Sequence, residues 1–254
     1  MRKLLILFGL SLLLPSFVFL SFSCQKTSSF SKEALEHYDH GQALCRQGDD
    51  AGAISEFTLA IELEPDYFRA YGERGISYDT LGQHEKAIAD YLKAIELQPG
   101  YTIAYHNLTL AYRNIGEYDN ALDAINKAIE LDPKSASSYC QRGVIFDETQ
   151  EYDKALADYD KAISLDSKYI DAYSNRGTVK WQLGNYNDSL ADYNKAISLG
   201  LNDYKIYALR AMVYTLLRMD KEASADIEKS VALGMDRAEL EEQIDNIKNY
   251  LSQQ

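Results

Sequence analysis

The sequence predicts an all-α solenoid of about six helix-turn-helix units, closed by a capping helix at the C-terminus. Three observations carry that expectation. The pattern of Phe68–Tyr101 returns every 34 residues from near Ala34 to near Gly234, with Lys-Ala-Ile at Lys93, Lys127, Lys161 and Lys195. Fixed self-similarity of this length marks a stacked repeat. Apolar residues recur at helical spacing, as in Ile88, Tyr91, Ala94 and Ile95, and no stretch alternates with the period of a strand. Glycines at Gly48, Gly82, Gly116 and Gly184 fall midway through a unit, and Pro65, Pro99 and Pro133 end three of them. A single unit cannot bury its apolar face alone, so the 254 residues build one elongated array.

In chain order, Met1-Arg2-Lys3 is a basic start, and Leu4–Leu20 runs seventeen residues without a charge. Small residues at Ser21 and Ser23 precede Cys24. A basic start, an apolar run and a small-residue cut describe a secretory signal over residues 1–23. Leu20-Ser21-Phe22-Ser23-Cys24 resembles a bacterial lipoprotein lipobox, with its leucine four residues before the cysteine instead of three. That resemblance implies lipidation at Cys24 and a membrane anchor in the cell envelope, since each buried methylene contributes about 0.8 kcal/mol. A soluble exported chain cut at the same bond and an uncleaved N-terminal anchor are the alternatives. Residues 24–33 are polar and serine-rich and read as a tether.

The array spans residues 34–235, with units starting near 34, 68, 102, 136, 170 and 204. Each unit is two helical stretches around a glycine turn, where a left-handed backbone suits a residue without Cβ. Asp119, Asp153 and Asn187 stand near the start of the second helix as expected caps for its free amides. Small residues let helices approach where they cross and tyrosines fill the gaps between, which makes most of the twenty tyrosines core. Arg74, Arg142, Arg176 and Arg210 share one position of the unit, and Asp90, Asp158, Asp192 and Asp226 share another sixteen residues on. The third unit has lost both, with Leu108 and Ala124, so an Arg–Asp bridge within each of the other four is expected. Residues 236–254 open on a capping box, Asp236 with Glu239, and place Leu240, Ile244, Ile247 and Leu251 on one face of a closing helix.

Composition narrows the function. Hydrophobic residues at 46% and charged residues at 26% suit a folded chain. The net charge is −13, and loss of Arg2 and Lys3 with the signal leaves about −15. Such a body repels phosphate backbones, which disfavours nucleic acid as a partner. His37 and His40 are three apart, with no third metal ligand evident beside them. Cys45 and Cys140 are too far apart in the array for a disulfide, which needs a Cα separation of about 6 Å. There is no nucleophile elbow, phosphate-binding glycine loop or zinc motif, so the expectation is a non-catalytic protein without metal or cofactor.

The unit resembles the tetratricopeptide repeat. The second unit supplies its aromatic, small and alanine positions as Tyr71, Gly75, Tyr78, Ala87, Tyr91 and Ala94, ending in Pro99. The third supplies Tyr105, Leu108, Tyr112, Ala121, Ala128 and Pro133, with Thr109 at the small position. The fourth and fifth units follow, and the terminal ones are weaker. The resemblance covers about four-fifths of the chain. It implies a right-handed superhelix whose concave face, lined by the first helix of each unit, holds a peptide or partner protein. Inward positions counted from the motif include Gln42, Arg46, Arg69, Asp79, His106 and Asn107. Further along they include Arg113, Cys140, Asp147, Asn175, Trp181 and Lys205. Lys180 replaces the aromatic found at Tyr78, Tyr112, Phe146 and Tyr214, beside Trp181, the one tryptophan. Either Lys180 and Trp181 anchor a partner, or Trp181 fills the missing aromatic's space while Lys180 points outward. The expected trade is a membrane-tethered binding scaffold or adaptor of the bacterial cell envelope. The alternative is an exported carrier of a peptide or other soluble ligand.

Overall fold

The computed structural model describes residues 30–253. The signal segment, Cys24 and most of the tether lie outside them. No helix among the described residues is long and apolar enough to cross a membrane.

Helices alternate in pairs. The first unit is α1 (Lys32–Gln47) and α2 (Asp50–Leu63), the second α3 (Phe68–Thr80) and α4 (His84–Leu97), and the third α5 (Thr102–Asn114) and α6 (Tyr118–Leu131). The fourth is α7 (Ala136–Glu148) and α8 (Tyr152–Leu165), the fifth α9 (Ile170–Gln182) and α10 (Tyr186–Ser198), the sixth α11 (Tyr204–Leu216) and α12 (Asp220–Ala232). A last helix, α13 (Arg237–Ser252), packs mainly on α11. It starts 33 residues after α11, close to one repeat length, so it occupies the place of a seventh first helix. Each first helix packs on its own second helix, and each second helix on the next first helix. The first helices α1, α3 and α5, and again α7, α9 and α11, also touch in succession, and no succession of second helices does so comparably. The first helices therefore line the tighter, inner side of the stack.

The turn inside each unit is left-handed in all six. Glycine takes it at Gly48, Gly82, Gly116 and Gly184, but Gln150 (φ 61°) and Arg218 (φ 58°) occupy the same place in the fourth and sixth units. The amides after each turn reach back to the ends of the first helices, as Glu117 N does to Tyr112 O at 2.9 Å, and that closure holds the turn whichever residue fills it. Capping differs from the sequence expectation. Glu117, Glu151 and Asn185 are the N-cap residues of α6, α8 and α10, and none uses its side chain to cap. Asp119 and Asp153 sit inside the first turn, where a carboxylate complements the helix dipole.

The core is a column of matched volumes. Gly41, Gly75, Gly143 and Gly177 lie against Phe57, Tyr91, Tyr159 and Tyr193, all buried rings, and a Cβ on any of these glycines would meet ring carbon at 2.6–2.8 Å. In the third unit the pair is Thr109 with Ile125, and in the sixth Ala211 with Ile227. The ring shrinks wherever the first helix gains a side chain.

A second column joins the units. Arg142 donates from Nε and Nη2 to both oxygens of Asp158 at 2.7 and 2.8 Å, and its Nη1 crosses to Asn126 of the preceding unit at 2.8 Å. Arg74 does the same with Asp90 and Thr58, and Arg210 with Asp226 and Asn194. Arg142 also lies between the Tyr139 and Phe146 rings, 5.6 and 5.9 Å from their centroids. The bonds to Asp158 outweigh burial and hold this guanidinium above its ordinary pKa. Each arginine is thus both a bridge inside its unit and a clamp to the unit before. At the second joint all three members are apolar: Leu92, Leu108 and Ala124.

The fifth unit varies the clamp with charge kept in balance. Arg176 meets Asp192 and, in place of a neutral acceptor, Asp160. Lys180 turns inward and donates from Nζ to Asp192 at 2.8 Å, so it does not point outward as the sequence pattern suggested. The extra carboxylate is matched by the extra ammonium. In the first unit, His40 and Glu56 stand where the arginine and aspartate stand elsewhere, 3.1 Å apart, and His37 reaches the other Glu56 oxygen at 2.6 Å. Glu56 is the acidic neighbour of the two histidines that their spacing alone does not reveal. Both cysteines among the described residues, Cys45 and Cys140, are free, and the Cys45 thiol sits 3.3 Å from the Ser77 hydroxyl.

Candidate functional site: the inner face of the first helices

Five positions per first helix turn inward, and the 34-residue register stacks them into rows. An apolar row runs through Ile76, Leu110, Val144 and Met212, with Thr178 between the last two. Ile76 remains 37% exposed, so the row is open to a partner. Beside it runs a row of amides, Asn107, Gln141 and Asn175, one in each of three successive units and all half-buried.

Several candidate residues are held by polar partners, most of them across a unit boundary. His106 spans the third joint, with Nδ1 2.8 Å from Gln141 Oε1 and Nε2 3.2 Å from Ser138 Oγ. Asn175 donates to Cys140 Sγ at 3.7 Å. Arg113 faces Glu148 at 3.7 Å, and Gln42 donates to the Tyr38 hydroxyl at 3.0 Å. Asp79 is engaged within its own unit by His84 Nδ1 at 2.5 Å. Burial and the neighbouring Glu148 raise the Asp147 carboxyl above its ordinary pKa.

Others are exposed and reach no polar partner across the groove. Arg46 closes α1 on the surface, Arg69 lies 5.7 Å over the Phe68 ring and Lys205 lies 5.9 Å over the Tyr204 ring. Trp181 is half-buried and packs against the cluster of Leu190, Tyr193, Ile206 and Val213. With Lys180 drawn to Asp192, the pair that the sequence singled out is divided between core and clamp.

Cys140 is buried, and burial pushes its thiol up to about 12. Its side chain forms part of the groove wall. Its wall belongs to a cavity of about 280 Å³ on the inner face, formed with Gln141, Val144, Tyr169, Asp171, Ser174, Asn175, Leu201 and Asp203. Of these, the sequence pattern pointed only to Cys140 and Asn175. Gln141 could have been found by carrying Asn107 forward one repeat. Tyr169 and Asp203 lie just before a first helix, where counting along helices does not look. No group of three or more histidine, cysteine or carboxylate side chains among the described residues is arranged to hold a metal ion.

Comparison with known proteins places the repeats. Residues 110–150 and 145–184 match the family described as TPR repeat. Residues 68–101, 90–123 and 170–200 match families described as tetratricopeptide repeat. No curated protein matches the sequence closely enough to count as a relative. Among solved structures, MamA shares 28% identity over 63% of this chain and 93% of its own, with a TM-score of 0.57. A tetratricopeptide repeat protein from Parabacteroides merdae shares 19% over 86% of this chain and all of its own, with a TM-score of 0.64. YrrB, described as having an unusual peptide-binding site, shares 19% over 76% of this chain and 97% of its own, with a TM-score of 0.56.

Proposed function

Because the chain belongs to the tetratricopeptide repeat family, with matched repeats running from residue 68 to residue 200, we propose that it is a non-catalytic scaffold. It binds an extended segment of another protein along the inner face of its first helices. The observation that carries this reading is the pairing of the amide row with the apolar row. Packed helices step by about 10 Å, and an extended chain advances about 3.3 Å per residue. Successive amides therefore fall opposite every third residue of a bound strand. Asn107, Gln141 and Asn175 would meet its backbone while Leu110 and Val144 take side chains three residues apart. The peptide-binding site named for YrrB is consistent with this use of the fold.

The scaffold would be exported and held at a membrane of the cell envelope by lipid on Cys24, with the polar residues after it as a tether. An adaptor within an envelope assembly suits that placement better than a diffusible carrier of peptides. Two experiments test the reading. Peptides selected by display on the mature chain should bind tightly, and N107A with L110E should weaken them at least tenfold; peptides that bind equally well to that variant would show that the inner face is not used. Cys24→Ala should move the protein from the membrane fraction to the soluble one, and an unchanged distribution would refute the lipid anchor. Crosslinking in cells distinguishes adaptor from carrier: a stable envelope complex supports the first, a mixture of small peptides the second.

A further inference from the structure

The cavity of about 280 Å³ on the inner face of units four to six has a lining unlike the rest of the groove. The inward position that holds Tyr38 in the first unit and His106 in the third is small in the second unit, at Gly72, where the Tyr101 ring takes the space; it is Cys140, Ser174 and Ala208 in the last three. One joint earlier, the His106 ring fills the corresponding space and bonds to Gln141 and Ser138. Val144, Leu201 and the buried Cys140 make the apolar part of the floor beside the polar Gln141, Ser174 and Asn175, and Tyr169 with the exposed Asp171 and Asp203 completes the lining.

Asp171 opens α9, and Asp203 caps α11 through Oδ1, bonded to Ile206 N at 2.9 Å, which leaves Oδ2 free to accept. No lysine or arginine lines the cavity, and neither carboxylate is in an ion pair with any described residue. An apolar floor under two unpaired carboxylates is complementary to a long aliphatic stem ending in a cation. The chain's net charge of −13 raises the local concentration of such groups.

We propose that this cavity is a specificity pocket for a lysine or arginine side chain of the bound segment. The proposal rests on the reading of the inner face as the binding groove, and it names the residue that sets register there. The stem lies on Val144 and Leu201, the cationic head meets Asp171 and Asp203, and the Asn175 amide oxygen is placed for a further donor.

The test is an NMR titration of the mature chain, methyl-labelled at Val and Leu. The probes are the Nα-acetyl N-methylamides of lysine, arginine, norleucine and glutamate. The lysine or arginine probe should shift the Val144 and Leu201 methyls saturably, and the D171N/D203N chain should bind it at least fivefold more weakly. Asparagine caps a helix as well as aspartate does, so that variant keeps the start of α11. Equal binding of norleucine, equal binding by the variant, or no shift with either cation would overturn the proposal. Display-selected peptides separate its failure from that of the groove. Peptides that bind the inner face with no enrichment of lysine or arginine would sink the pocket and leave the groove standing. A cation-dependent shift with no peptide binding would do the reverse.

Discussion

Gly143 and Tyr159 compete for one volume: a Cβ on Gly143 would stand 2.7 Å from Tyr159 Cε1. The crossing of α7 and α8 is set by that contact, and the third and sixth units solve the same problem with Thr109 against Ile125 and Ala211 against Ile227. G143A should therefore destabilise the array. Overpacking costs about 1–3 kcal/mol, and the helix gain of alanine over glycine offsets about 1 kcal/mol of it. Adding Y159I should recover most of the loss, giving a favourable coupling in a urea double-mutant cycle. Independent, additive costs would show that the two residues do not share the space.

Tyr159 also carries a buried hydroxyl that finds no partner among the described residues. Tyr193 bonds its own hydroxyl to Thr178 at 3.2 Å, but Val144 stands at that place in the fourth unit. Removing an unsatisfied buried group without changing the ring should help. Y159F is expected to stabilise by about 1 kcal/mol, while Y193F should cost a similar amount. A loss for both variants would count against the unpaired hydroxyl.

How much of this was legible in the chain follows from what repetition can encode. Helix pairing, the glycine turn and the loss of Arg and Asp together in the third unit are visible because each repeats every 34 residues. The clamp's third member was not, because Thr58, Asn126, Asp160 and Asn194 are three different residue types at one position and act across a unit boundary. Of the two readings open for Trp181 and Lys180, packing is the one Trp181 follows, while Lys180 turns inward and offsets the charge that Asp160 adds. The cavity escaped because it comes from small residues, whose effect is an absence of volume.

The clamp predicts an asymmetry between single and joint replacement. Arg142 and Asp158 have side chains 25% and 8% exposed. Breaking such a pair from one side strands the other charge and should cost about 3 kcal/mol, whereas apolar replacement of all members is often near neutral. R142L alone should be severe, and N126L/R142L/D158A, which copies Leu92, Leu108 and Ala124, should be mild. Equal losses in chemical denaturation would assign the cost to packing of the arginine stem and not to charge.

The left-handed turn offers the opposite kind of change. Gln150 is exposed and adopts φ 61° where four other units use glycine. A non-glycine residue pays about 1–2 kcal/mol in that conformation, and the extra chain entropy of an unfolded glycine returns about half. Q150G should raise the stability of the fourth unit by about 0.5–1 kcal/mol. G116A should lower that of the third by a similar amount. An unchanged midpoint in both would mean the turn relaxes to accept either residue.

Acid should loosen the first unit before the rest. The hydrogen bond from His37, opposed by burial and aided by His40, holds the Glu56 carboxyl below its ordinary value of 4.5. A carboxyl depressed in the folded state gives stability that is full above its unfolded pKa and disappears as pH falls through the folded one. Glu56 should thus stabilise the α1–α2 contact at neutral pH and cease to do so as the pH falls below 4.5 and through its lowered folded-state pKa. Arginine fills the place of His40 in four of the other units and Leu108 in the third, so the first unit alone depends on imidazoles to pair this carboxylate. Hydrogen exchange of α1 amides should speed up on acidification, and E56Q should exchange fast already at pH 7. The gap between E56Q and the natural chain should close as the pH falls below 4.5 and Glu56 takes up its proton. A gap that stays constant across that range would mean that α1 is held by its apolar contacts, with Glu56 only a bystander.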